Sequence, residues 1–525
     1  MLLVSLVLLV YINSLDNTFL SDDITGIRDN PNINSLHSLF SSPIGFISSF
    51  IRFIDYYVGG HKAWFYRFTN IIFHALSTLI VYAIFKLQKS EKVAISVAFL
   101  FAVHPVLVES VSWISGFPYV LSSFFILLSY YLYLYVKKYG GGSLSYNAAF
   151  LLAAFSSSTA VLYISIFFLD SIIYKQVRKF LKRFWIILTI SAIAMFYLIP
   201  ALVARMNSLQ SDFSQTVAFT NPLIKIPIAI SEYLKLIFWP QDLTLYHSEL
   251  SFNKYQYLVR LIIVLVVLVF TIFSYIKSSK NEDYKFIFFW IMFFFIALAP
   301  TLTPWGISWI VAERYVYLGS IGIFAIIGLI FEKLSLIKSI KYYVYFLFGI
   351  IILSLSIRTV IRNQDWQSED TLWVATVKVS PSSPQAHNNM GDVYSRHGQL
   401  DKAAEEFQTA IQLQPKYADA THNLANTYQK MAYVASLNKD GLAYGKTKTE
   451  WLQEAIDNYG LAIKYNPNLW QSYQNLGIIF FSNKQYDYAI EYFDKAIAVN
   501  PYNETLKQNR EIILEEIKKS NSDSQ

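Results

Sequence analysis

Apolar stretches recur from the first residue to about residue 360, and each is close to the roughly 20 residues that an α-helix needs to cross a bilayer. We predict membrane spans near residues 1–15, 66–87, 93–112, 117–136, 147–158, 160–174, 184–204, 257–276, 286–303, 315–331 and 342–360. With 54% hydrophobic and 15% charged residues, a chain of 525 residues lacks the polar surface that a water-soluble globule requires. These features predict an all-α, polytopic membrane bundle of about eleven spans.

The positions of Lys and Arg predict the orientation of this bundle, because positively charged loops stay on the cytoplasmic side. The clusters are Lys86/Lys89/Lys92, Lys137/Lys138, Lys175/Arg178/Lys179/Lys182/Arg183, Lys277/Lys280/Lys285 and Lys333/Lys338/Lys341. All five clusters lie on the cytoplasmic side if the amino terminus is cytoplasmic. We therefore predict a multi-pass protein of the cell membrane, surrounded by membrane lipids. Residues 16–64, the segment from Trp305 to Glu313 and everything after Arg362 are then outside.

This predicted orientation decides how two ambiguous apolar stretches are placed. Residues 147–174 must cross twice, as a short hairpin broken near Ser156, Ser157 and Ser158. Residues 224–240, which contain two prolines, must lie in the outer interface without crossing.

The positive charge of the chain belongs to its membrane part. Residues before Pro381 include 29 Lys and Arg against 19 Asp and Glu, whereas the remaining residues include 14 against 17. Basic loops beside anionic lipid explain this imbalance, and we expect no nucleic-acid partner. The absence of cysteine excludes disulfides, thiolate zinc sites and cysteine nucleophiles. The sequence also lacks a Walker loop, an HExxH helix and a serine nucleophile elbow, so nucleotide-triphosphate turnover, zinc proteolysis and hydrolase chemistry have no support.

A 34-residue period begins at Pro384, with small and aromatic residues at the positions that are typical of tetratricopeptide helix pairs. These residues are Met390, Gly391, Tyr394, Ala403, Phe407, Ala410 and Pro415 in the first unit, Leu424, Ala425, Tyr428, Ala455, Tyr459, Ala462 and Pro467 in the second, and Leu476, Gly477, Phe480, Ala489, Phe493, Ala496 and Pro501 in the third. The second unit has roughly eighteen extra residues around Asn438 to Lys448, between its two helices.

The chain is therefore predicted to consist of a membrane domain, a connector and an α-solenoid of tetratricopeptide repeats. The predicted ranges are 1–362 for the membrane domain, 363–383 for the connector and 384–519 for the repeat domain, which divides into 384–417, 418–469 with the insertion, 470–503 and a capping helix at 504–519. The capping helix covers the last exposed face of the repeats, and residues 520–525 form a disordered tail.

Side-chain amides recur in the first helix of each repeat. Asn389, Asn423 and Asn475 occupy the same repeat position, and Asn426 follows Asn423 by three residues. First helices line the concave surface of such a solenoid, where a column of amides can pair with the backbone of an extended peptide. We predict that these four residues bind an acceptor peptide, although Asn is also simply common at this position.

Two adjacent carboxylates, Asp22 and Asp23, follow the first span in the sequence FLSDDITGIRDNP. Such a pair at a membrane surface could bind a divalent cation such as Mg²⁺ or Mn²⁺. Alternatively, one carboxylate could deprotonate an acceptor hydroxyl while the other holds the metal or orients the substrate. A helix cap or a solvated turn would explain the pair equally well.

Other ionisable residues lie in or beside apolar segments, where an unpaired charge is costly and points to function. His104 and Glu109 lie at the proline-kinked end of the third span, which suits a cavity or a His–Glu pair that satisfies itself. Glu313 and Arg314 lie where a later span begins, and the guanidinium there could clamp a phosphate or anchor the span at the interface.

Arg67, Asn70 and His74 share one face of the second span, because they are three and four residues apart. They could line the same cavity as the other ionisable groups. His74 is equally explained as a core histidine with a satisfied hydrogen bond.

The order of five segments resembles the family of transmembrane and tetratricopeptide repeat-containing proteins, which are membrane glycosyltransferases of the GT-C fold. The segments are FLSDDITGIRDNP, WFYRFTNIIFHALSTLIVY, HPVLVESVSWISG, VAERYVYLGSIGIF and QDWQSEDTLW, and the resemblance extends over nearly the whole chain. It implies transfer of a sugar, mannose in the eukaryotic members, from a polyprenyl-phosphate or dolichyl-phosphate carrier to Ser or Thr hydroxyls of proteins on the luminal or outer side.

Matching positions imply roles for particular residues of this chain. Asp22 and Asp23 would be the catalytic acidic pair, and Arg314 would lie near the donor phosphate. The further candidates for the donor site are Glu313, His104, Glu109, Arg67 and His74.

The chain departs from the family pattern in two places. Relatives usually show Arg and Asp just after WISG, where this chain has Phe117, Pro118 and Tyr119. They also tend to show Lys-Glu after a serine in the short hairpin, where this chain has residues 157–159, Ser-Ser-Thr. The departures could mean a changed donor, a different substrate or lost catalysis.

The leading hypothesis is an O-mannosyltransferase-like enzyme that takes mannose or another hexose from a polyprenyl-phosphate sugar and modifies proteins recruited by the repeats. The second hypothesis is a catalytically inactive scaffold whose repeats assemble envelope proteins. The missing charges favour a scaffold, whereas the retained Asp22, Asp23, Glu109 and Arg314 oppose it. A transporter is less favoured, because the sequence shows no inverted internal repeat.

Overall fold

The computed structural model describes residues 1–36, 39, 45–212, 221–302 and 309–522. In this part of the chain nearly all regular structure is helical, which confirms the predicted all-α fold. The chain divides into two compact units, residues 1–372 and residues 373–525.

The first unit is a bundle of helices that short turns connect. The helices are α1 (Leu2–Tyr11), α2 (Phe46–Gly59), α3 (Ala63–Gln88), α4 (Glu91–Val103), α5 (Val108–Ser112), α6 (Phe117–Tyr139), α7 (Leu144–Ser156), α8 (Ile164–Ile173), α9 (Val177–Asp212), α10 (Pro222–Phe238), α11 (Lys254–Ser278), α12 (Glu282–Leu298), α13 (Ser320–Ser335) and α14 (Lys341–Asp365). Helix α15 (Glu369–Val379) follows at the boundary between the units. Single helical turns lie at Ile12–Ser14, Ile24–Arg28, Pro105–Leu107, Ile114–Gly116, Ser158–Tyr163, Ala299–Thr301 and Glu313–Val316.

Candidate membrane helices are present, as the sequence predicts. Five helical stretches in the described residues are long and apolar enough to cross a bilayer: Ala63–Gln88, Ile114–Tyr139, Lys254–Ser278, Glu282–Thr301 and Lys341–Asp365. Helix α4 and the segment Pro105–Ser112 pass the same test together, with a bend of 55° between them. Proline explains the bend, because it has no backbone N–H to donate and disfavours a helical residue before it. The count of about eleven spans stays a prediction, and residues 305–308 of the predicted outer segment lie outside the described residues.

The predicted hairpin break is present, and helix α10 is buried within the bundle. The chain becomes extended at Ser157, between α7 and the turn that precedes α8. Residues 224–240 were expected to lie in the outer interface without crossing, and this position stays a prediction; residues 227–234 of helix α10 are all buried within the bundle. Burial is feasible because the carboxylate of Glu232 pairs with Arg260 of α11 at 2.6 Å, so no charge is left uncompensated.

The second unit is an array of helix pairs. Its helices are α16 (Pro384–Arg396), α17 (Leu400–Leu413), α18 (Ala418–Leu437), α19 (Lys448–Tyr465), α20 (Trp470–Ser482), α21 (Tyr486–Val499) and α22 (Glu504–Ser522). The extra residues of the middle repeat form a small antiparallel hairpin between α18 and α19, with strands β1 (Leu442–Ala443) and β2 (Lys446–Thr447).

Close approach of paired helices explains the glycines of the repeat pattern. A Cβ atom at Gly391 of α16 would lie 2.7 Å from the ring of Phe407 in α17. A Cβ atom at Gly477 of α20 would lie equally close to the ring of Phe493 in α21. Both distances are shorter than a carbon–carbon contact allows, so the aromatic ring of the second helix fills the space that glycine leaves in the first.

We expect Gly391→Ala to destabilise the first helix pair by up to about 2 kcal/mol, because overpacking outweighs the better helix propensity of alanine. Gly460→Ala is the matched control, since nothing lies within 4 Å of the place that its Cβ would take. This control should stabilise α19 by up to about 1 kcal/mol. Hydrogen exchange of the full chain, read by mass spectrometry over each helix, measures both effects. Slower exchange in both variants would contradict the packing argument.

Candidate active site around Asp23 and Arg314

Asp23 is a fully buried carboxylic acid at the beginning of the turn Ile24–Arg28. Its Oδ1 accepts hydrogen bonds from the Ser115 hydroxyl and, at 2.8 Å, from the Ser115 backbone N–H, and its Oδ2 accepts one from the Leu20 N–H at 3.2 Å. Burial raises the pKa of Asp23 to about 6, and the hydrogen bonds from Ser115 and the charge of Arg67 oppose this rise. Asp23 is therefore fixed in position and exchanges its proton close to neutral pH.

The neighbouring Asp22 has a different environment, because it is exposed whereas Asp23 is buried. No three His, Asp or Glu side chains within the described ranges come close enough to hold a metal ion together. Both oxygens of Asp23 already accept hydrogen bonds from N–H and O–H groups, which leaves few lone pairs for a cation. The donor set of Asp22 and Asp23 therefore fits Mg²⁺ or Mn²⁺ poorly.

Arg67 and Asn70, near the start of α3, hold the backbone on both sides of Asp23. The guanidinium of Arg67 donates to the carbonyl oxygens of Asn17, Thr18 and Ser112, at 2.6, 2.9 and 2.7 Å. The amide of Asn70 donates to the carbonyl oxygens of Val111 and Trp113, at 3.2 and 2.9 Å. Both residues thus position the loop after α1 and the end of α5. The sequence predicted their shared face correctly, but not that their partners are backbone carbonyls.

Arg52 of α2 belongs to this site, although no sequence pattern singles it out. It lines a pocket of about 320 Å³ together with Ser115 and Phe117, and Asp23 lies near enough to interact with its charge. The guanidinium donates to Asp55 at 2.8 Å and to the Asn70 side chain at 2.7 Å, and it lies 4.1 Å from the centre of the Phe117 ring. In the sequence, an Arg three residues before an Asp on an amphipathic helix is indistinguishable from a surface ion pair.

Glu109 and Arg314 form a buried ion pair. The Oε1 of Glu109 accepts from the Arg314 guanidinium, and Oε2 accepts from the Arg314 backbone N–H at 3.1 Å. Glu109 is fully buried, whereas the Arg314 side chain is 10% exposed. The guanidinium also lies 4.9 Å from the ring centre of Tyr315 and 5.7 Å from that of Trp113. Arg314 therefore has a fixed orientation and keeps a small exposed edge for another anion.

Glu313, which precedes Arg314 in the sequence, points to a different partner. Its Oε1 accepts from the Arg362 guanidinium at 3.0 Å and from the Thr244 N–H at 2.6 Å, and its side chain is fully buried. Arg362 also pairs with Asp365 at 2.9 Å. Glu313 thus fastens the end of α14 to the loop after α10 through its Oε1.

Two other residues predicted for the donor site have partners inside the bundle. The His104 ring donates from Nε2 to the Ile237 carbonyl at 2.8 Å and accepts at Nδ1 from the Val106 N–H at 3.2 Å. His74 shares a hydrogen bond of 2.8 Å between its Nδ1 and the Tyr317 hydroxyl. Both rings are buried, and these bonds hold them inside the bundle.

One short segment, residues 109–115, contacts both Asp23 and Arg314. Glu109 at its start binds Arg314, Trp113 faces the same guanidinium, and Ser115 at its end binds Asp23. The segment therefore connects a carboxyl that titrates close to neutral pH to a cation with one accessible edge. A base and an anion-binding group are the two functions that transfer of a group from a phosphate to a hydroxyl requires.

The predicted Asn column connects neighbouring repeats. The amide of Asn423 donates to the side-chain oxygen of Asn388 at 3.0 Å, and the amide of Asn475 donates to that of Asn426 at 3.2 Å. Asn475 also donates to the Tyr459 hydroxyl at 3.0 Å. These bonds join α16, α18 and α20, so the amides stabilise the stacking of the repeats.

Comparison with known proteins agrees with the repeat pattern and with the family resemblance. A family model for the TPR repeat matches residues 391–431, and a second, for the tetratricopeptide repeat, matches residues 470–503. The chain is 23% identical over 95% of its length to the Homo sapiens protein O-mannosyl-transferase TMTC3, of which it covers 60%. It is 25% identical over 79% of its length to the Caenorhabditis elegans protein O-mannosyl-transferase F38B6.6, of which it covers 63%.

The chain therefore spans about three fifths of the length of the curated relatives that it matches. Among solved structures, the MamA protein is 22% identical, with a TM-score of 0.21 over 27% of this chain and 69% of that one. The chain is thus a helical membrane protein with carboxyl-terminal tetratricopeptide repeats, and along nearly its whole length it is similar to the transmembrane and tetratricopeptide repeat-containing protein O-mannosyl-transferases.

Proposed function

We propose that the chain transfers mannose or another hexose from a polyprenyl-phosphate or dolichyl-phosphate donor to hydroxyl groups of proteins on the outer side of the membrane. The observation that carries this proposal is the hydrogen bond from the Ser115 hydroxyl to Asp23. A serine hydroxyl there makes the contact that an acceptor Ser or Thr would make with a catalytic base. The similarity to protein O-mannosyl-transferases supports the transfer of a sugar to a protein hydroxyl, and the lipid-phosphate donor is part of the proposal.

In the proposed reaction, the acceptor oxygen attacks the anomeric carbon of the sugar while Asp23 takes the hydroxyl proton. The bond between that carbon and the phosphate oxygen breaks, and the polyprenyl phosphate leaves with the electron pair. A base with a pKa of about 6 is mostly ionised at pH 7 and still accepts a proton as the acceptor loses it. No step uses a metal ion.

Arg314 is the proposed partner of the phosphate. The exposed edge of its guanidinium would bind the negative charge that grows on the leaving oxygen, and Glu109 would hold the guanidinium in place during the step. Trp113 and Tyr315 restrict its movement on two sides. Because the cation is positioned before the donor arrives, little reorganisation is needed when the charge develops.

Arg52 and Asp55 support activity although this chain lacks the Arg and Asp that the family pattern has just after WISG. At that place this chain has Phe117, Pro118 and Tyr119. The Arg52 guanidinium packs on Phe117, and Asp55 binds this guanidinium, so a charge pair from α2 lies against the altered residues. We propose that this pair takes the place of the missing charges.

The repeat domain is proposed to recruit the protein acceptor on the outer side, with the amino terminus of the chain in the cytoplasm. Tetratricopeptide arrays present a surface for protein partners. Asn389, Asn423, Asn426 and Asn475 are partly exposed, so their remaining hydrogen-bonding groups can meet the backbone of a bound peptide. These residues therefore stay the candidates for acceptor binding.

The test is a transfer assay with the full chain in lipid nanodiscs. The donor is radiolabelled polyprenyl-phosphate mannose or, in a parallel reaction, GDP-mannose, and the acceptors are Ser/Thr-rich peptides whose products are identified by mass spectrometry. We expect product from the lipid donor alone. Product from the nucleotide sugar would contradict the proposed donor. Absence of product with every lipid-linked sugar, together with partner binding through the repeats, would favour the scaffold.

A further inference from the structure

A second pocket lies at the other end of the membrane unit, formed by the last turns of α3, α6 and α8 and by the beginning of α12. Its volume is about 260 Å³. The charged residues that line it are Lys89, Lys137, Lys138, Lys285, Asp170 and Glu282. None of these residues belongs to the candidate active site, and the proposed transfer reaction does not use them.

The length of two helices places the two pockets on opposite boundaries of a bilayer. Helix α3 begins at the candidate site near Arg67 and reaches the second pocket at Gln88. Helix α6 begins at Phe117 in the first pocket and reaches Lys138 in the second. Each path covers about 32 Å at 1.5 Å per residue, which is close to the hydrocarbon thickness of a bilayer.

Positive charge is in excess at the second pocket. Asp170 is buried, and its negative charge is already paired within the protein, because it accepts hydrogen bonds from Tyr133 at 2.7 Å and Lys137 at 2.8 Å. Glu282 is mostly exposed and pairs with Lys285, and Lys89 pairs with Asp283.

Two cations add to this excess. Lys333 shares the same Asp283 as Lys89, and four lysines line the pocket against two carboxylates, Asp170 and Glu282. Lys138 makes no ion pair with a carboxylate among the described residues. An anion of one or two negative charges would balance this group of side chains.

The inner wall of the pocket is apolar and rigid. Phe286, Phe289 and Leu134 line it beside Trp290. The indole N–H of Trp290 donates to Gln88 at 3.2 Å, and Gln88 in turn donates to Tyr130. A cationic opening above an apolar wall, at the depth where a bilayer changes from headgroups to hydrocarbon, matches an amphiphile with an anionic head.

We propose that this pocket binds an anionic phospholipid from the leaflet opposite to the candidate active site. The phosphate lies among Lys138, Lys285 and Lys137, where ammonium groups donate charge-assisted hydrogen bonds to its oxygens. The first carbons of an acyl chain follow Leu134 and Phe289. This inference concerns binding and does not depend on the proposed sugar transfer.

Native mass spectrometry of the full chain in detergent tests the proposal. Wild type is titrated with phosphatidylglycerol, with phosphatidylcholine and with inorganic phosphate. We expect one phosphatidylglycerol to bind at least tenfold more tightly than phosphatidylcholine, and millimolar phosphate not to displace it. Lys138→Gln/Lys285→Gln should weaken phosphatidylglycerol binding about tenfold, because two contacts to the headgroup are lost.

Lys277→Gln/Lys280→Gln is the matched control, since it removes the same charge from exposed residues at the end of α11, outside the pocket. It should leave phosphatidylglycerol binding unchanged. Equal weakening in both double variants would overturn the proposal, because attraction would then be diffuse. Displacement of the lipid by millimolar phosphate would overturn it as well. The single variant Lys138→Gln repeats the test without disturbing an ion pair within the protein, so a folding defect of the double variant does not obscure the outcome.

Discussion

Asp23→Asn is expected to reduce sugar transfer by about 10²–10⁴-fold, because it removes the base that takes the acceptor proton. The fold should survive this change. Burial raises the pKa of Asp23 above its usual value, so the ionised carboxylate costs the folded state stability as the pH rises toward and past about 6. A neutral Asn avoids that cost, and its side-chain oxygen can still accept from Ser115. The measurement is the transfer rate in nanodiscs, alongside the thermal unfolding of the same preparation.

Two variants in the same loop and pocket serve as controls for this prediction. Asp22→Asn should have a much smaller effect, because Asp22 is exposed whereas Asp23 is buried and hydrogen-bonded to Ser115, which lines the pocket. Ser115→Ala removes the hydroxyl that donates a hydrogen bond to Asp23 but keeps the hydrogen bond from the backbone N–H. The transfer rate should therefore stay within about tenfold of the wild-type rate. A full loss of transfer in Asp22→Asn with full activity in Asp23→Asn would reverse the assignment of the base.

The same base implies a pH dependence. Below a pH of about 6 Asp23 gains a proton and can no longer accept one, so the wild-type rate should fall as the pH decreases through this value. In Asp23→Asn the small residual rate should not show this acidic limb. An unchanged limb in the variant would mean that another group controls it.

Much of the architecture follows from periodicity, which depends on local sequence. The repeat pattern from Pro384 and the apolar stretches predict helices because side chains on one helix face recur every three to four residues. The hairpin break at Ser157 also has a local cause, a run of three serines in an apolar stretch. The burial of α10 could not be predicted in this way, since it depends on an Arg in another helix that pairs with Glu232.

The candidate site was predictable by residue type but not by pairing. Glu313 and Arg314 are adjacent in the sequence, yet their carboxylate and guanidinium have partners in different helices, Arg362 and Glu109. Arg52 had no distinguishing sequence signal, because its importance comes from its neighbours in α3 and in the turn after α5. Tertiary contacts of this kind are invisible to an argument from spacing along one helix.

Glu109→Gln is expected to destabilise the membrane unit by about 3–5 kcal/mol, because it leaves the largely buried Arg314 guanidinium without its counter-charge. Arg314→Gln should have a comparable effect, since the fully buried Glu109 would then lack a partner. Both losses are measured as the folded fraction after detergent extraction and heating, followed by size-exclusion chromatography. Wild-type stability in either variant would contradict a buried ion pair at this position.

The double variant Glu109→Gln/Arg314→Gln separates folding from catalysis. Two neutral amides can hydrogen bond to each other without a buried charge, so the double variant should recover most of the stability that each single change removes. Sugar transfer should not recover, because the phosphate has lost its cation. A double variant that is stable and fully active would show that Arg314 serves the fold alone. In that case the leaving phosphate would need another cation, and Arg52, in the pocket beside Asp23, would be the next to examine.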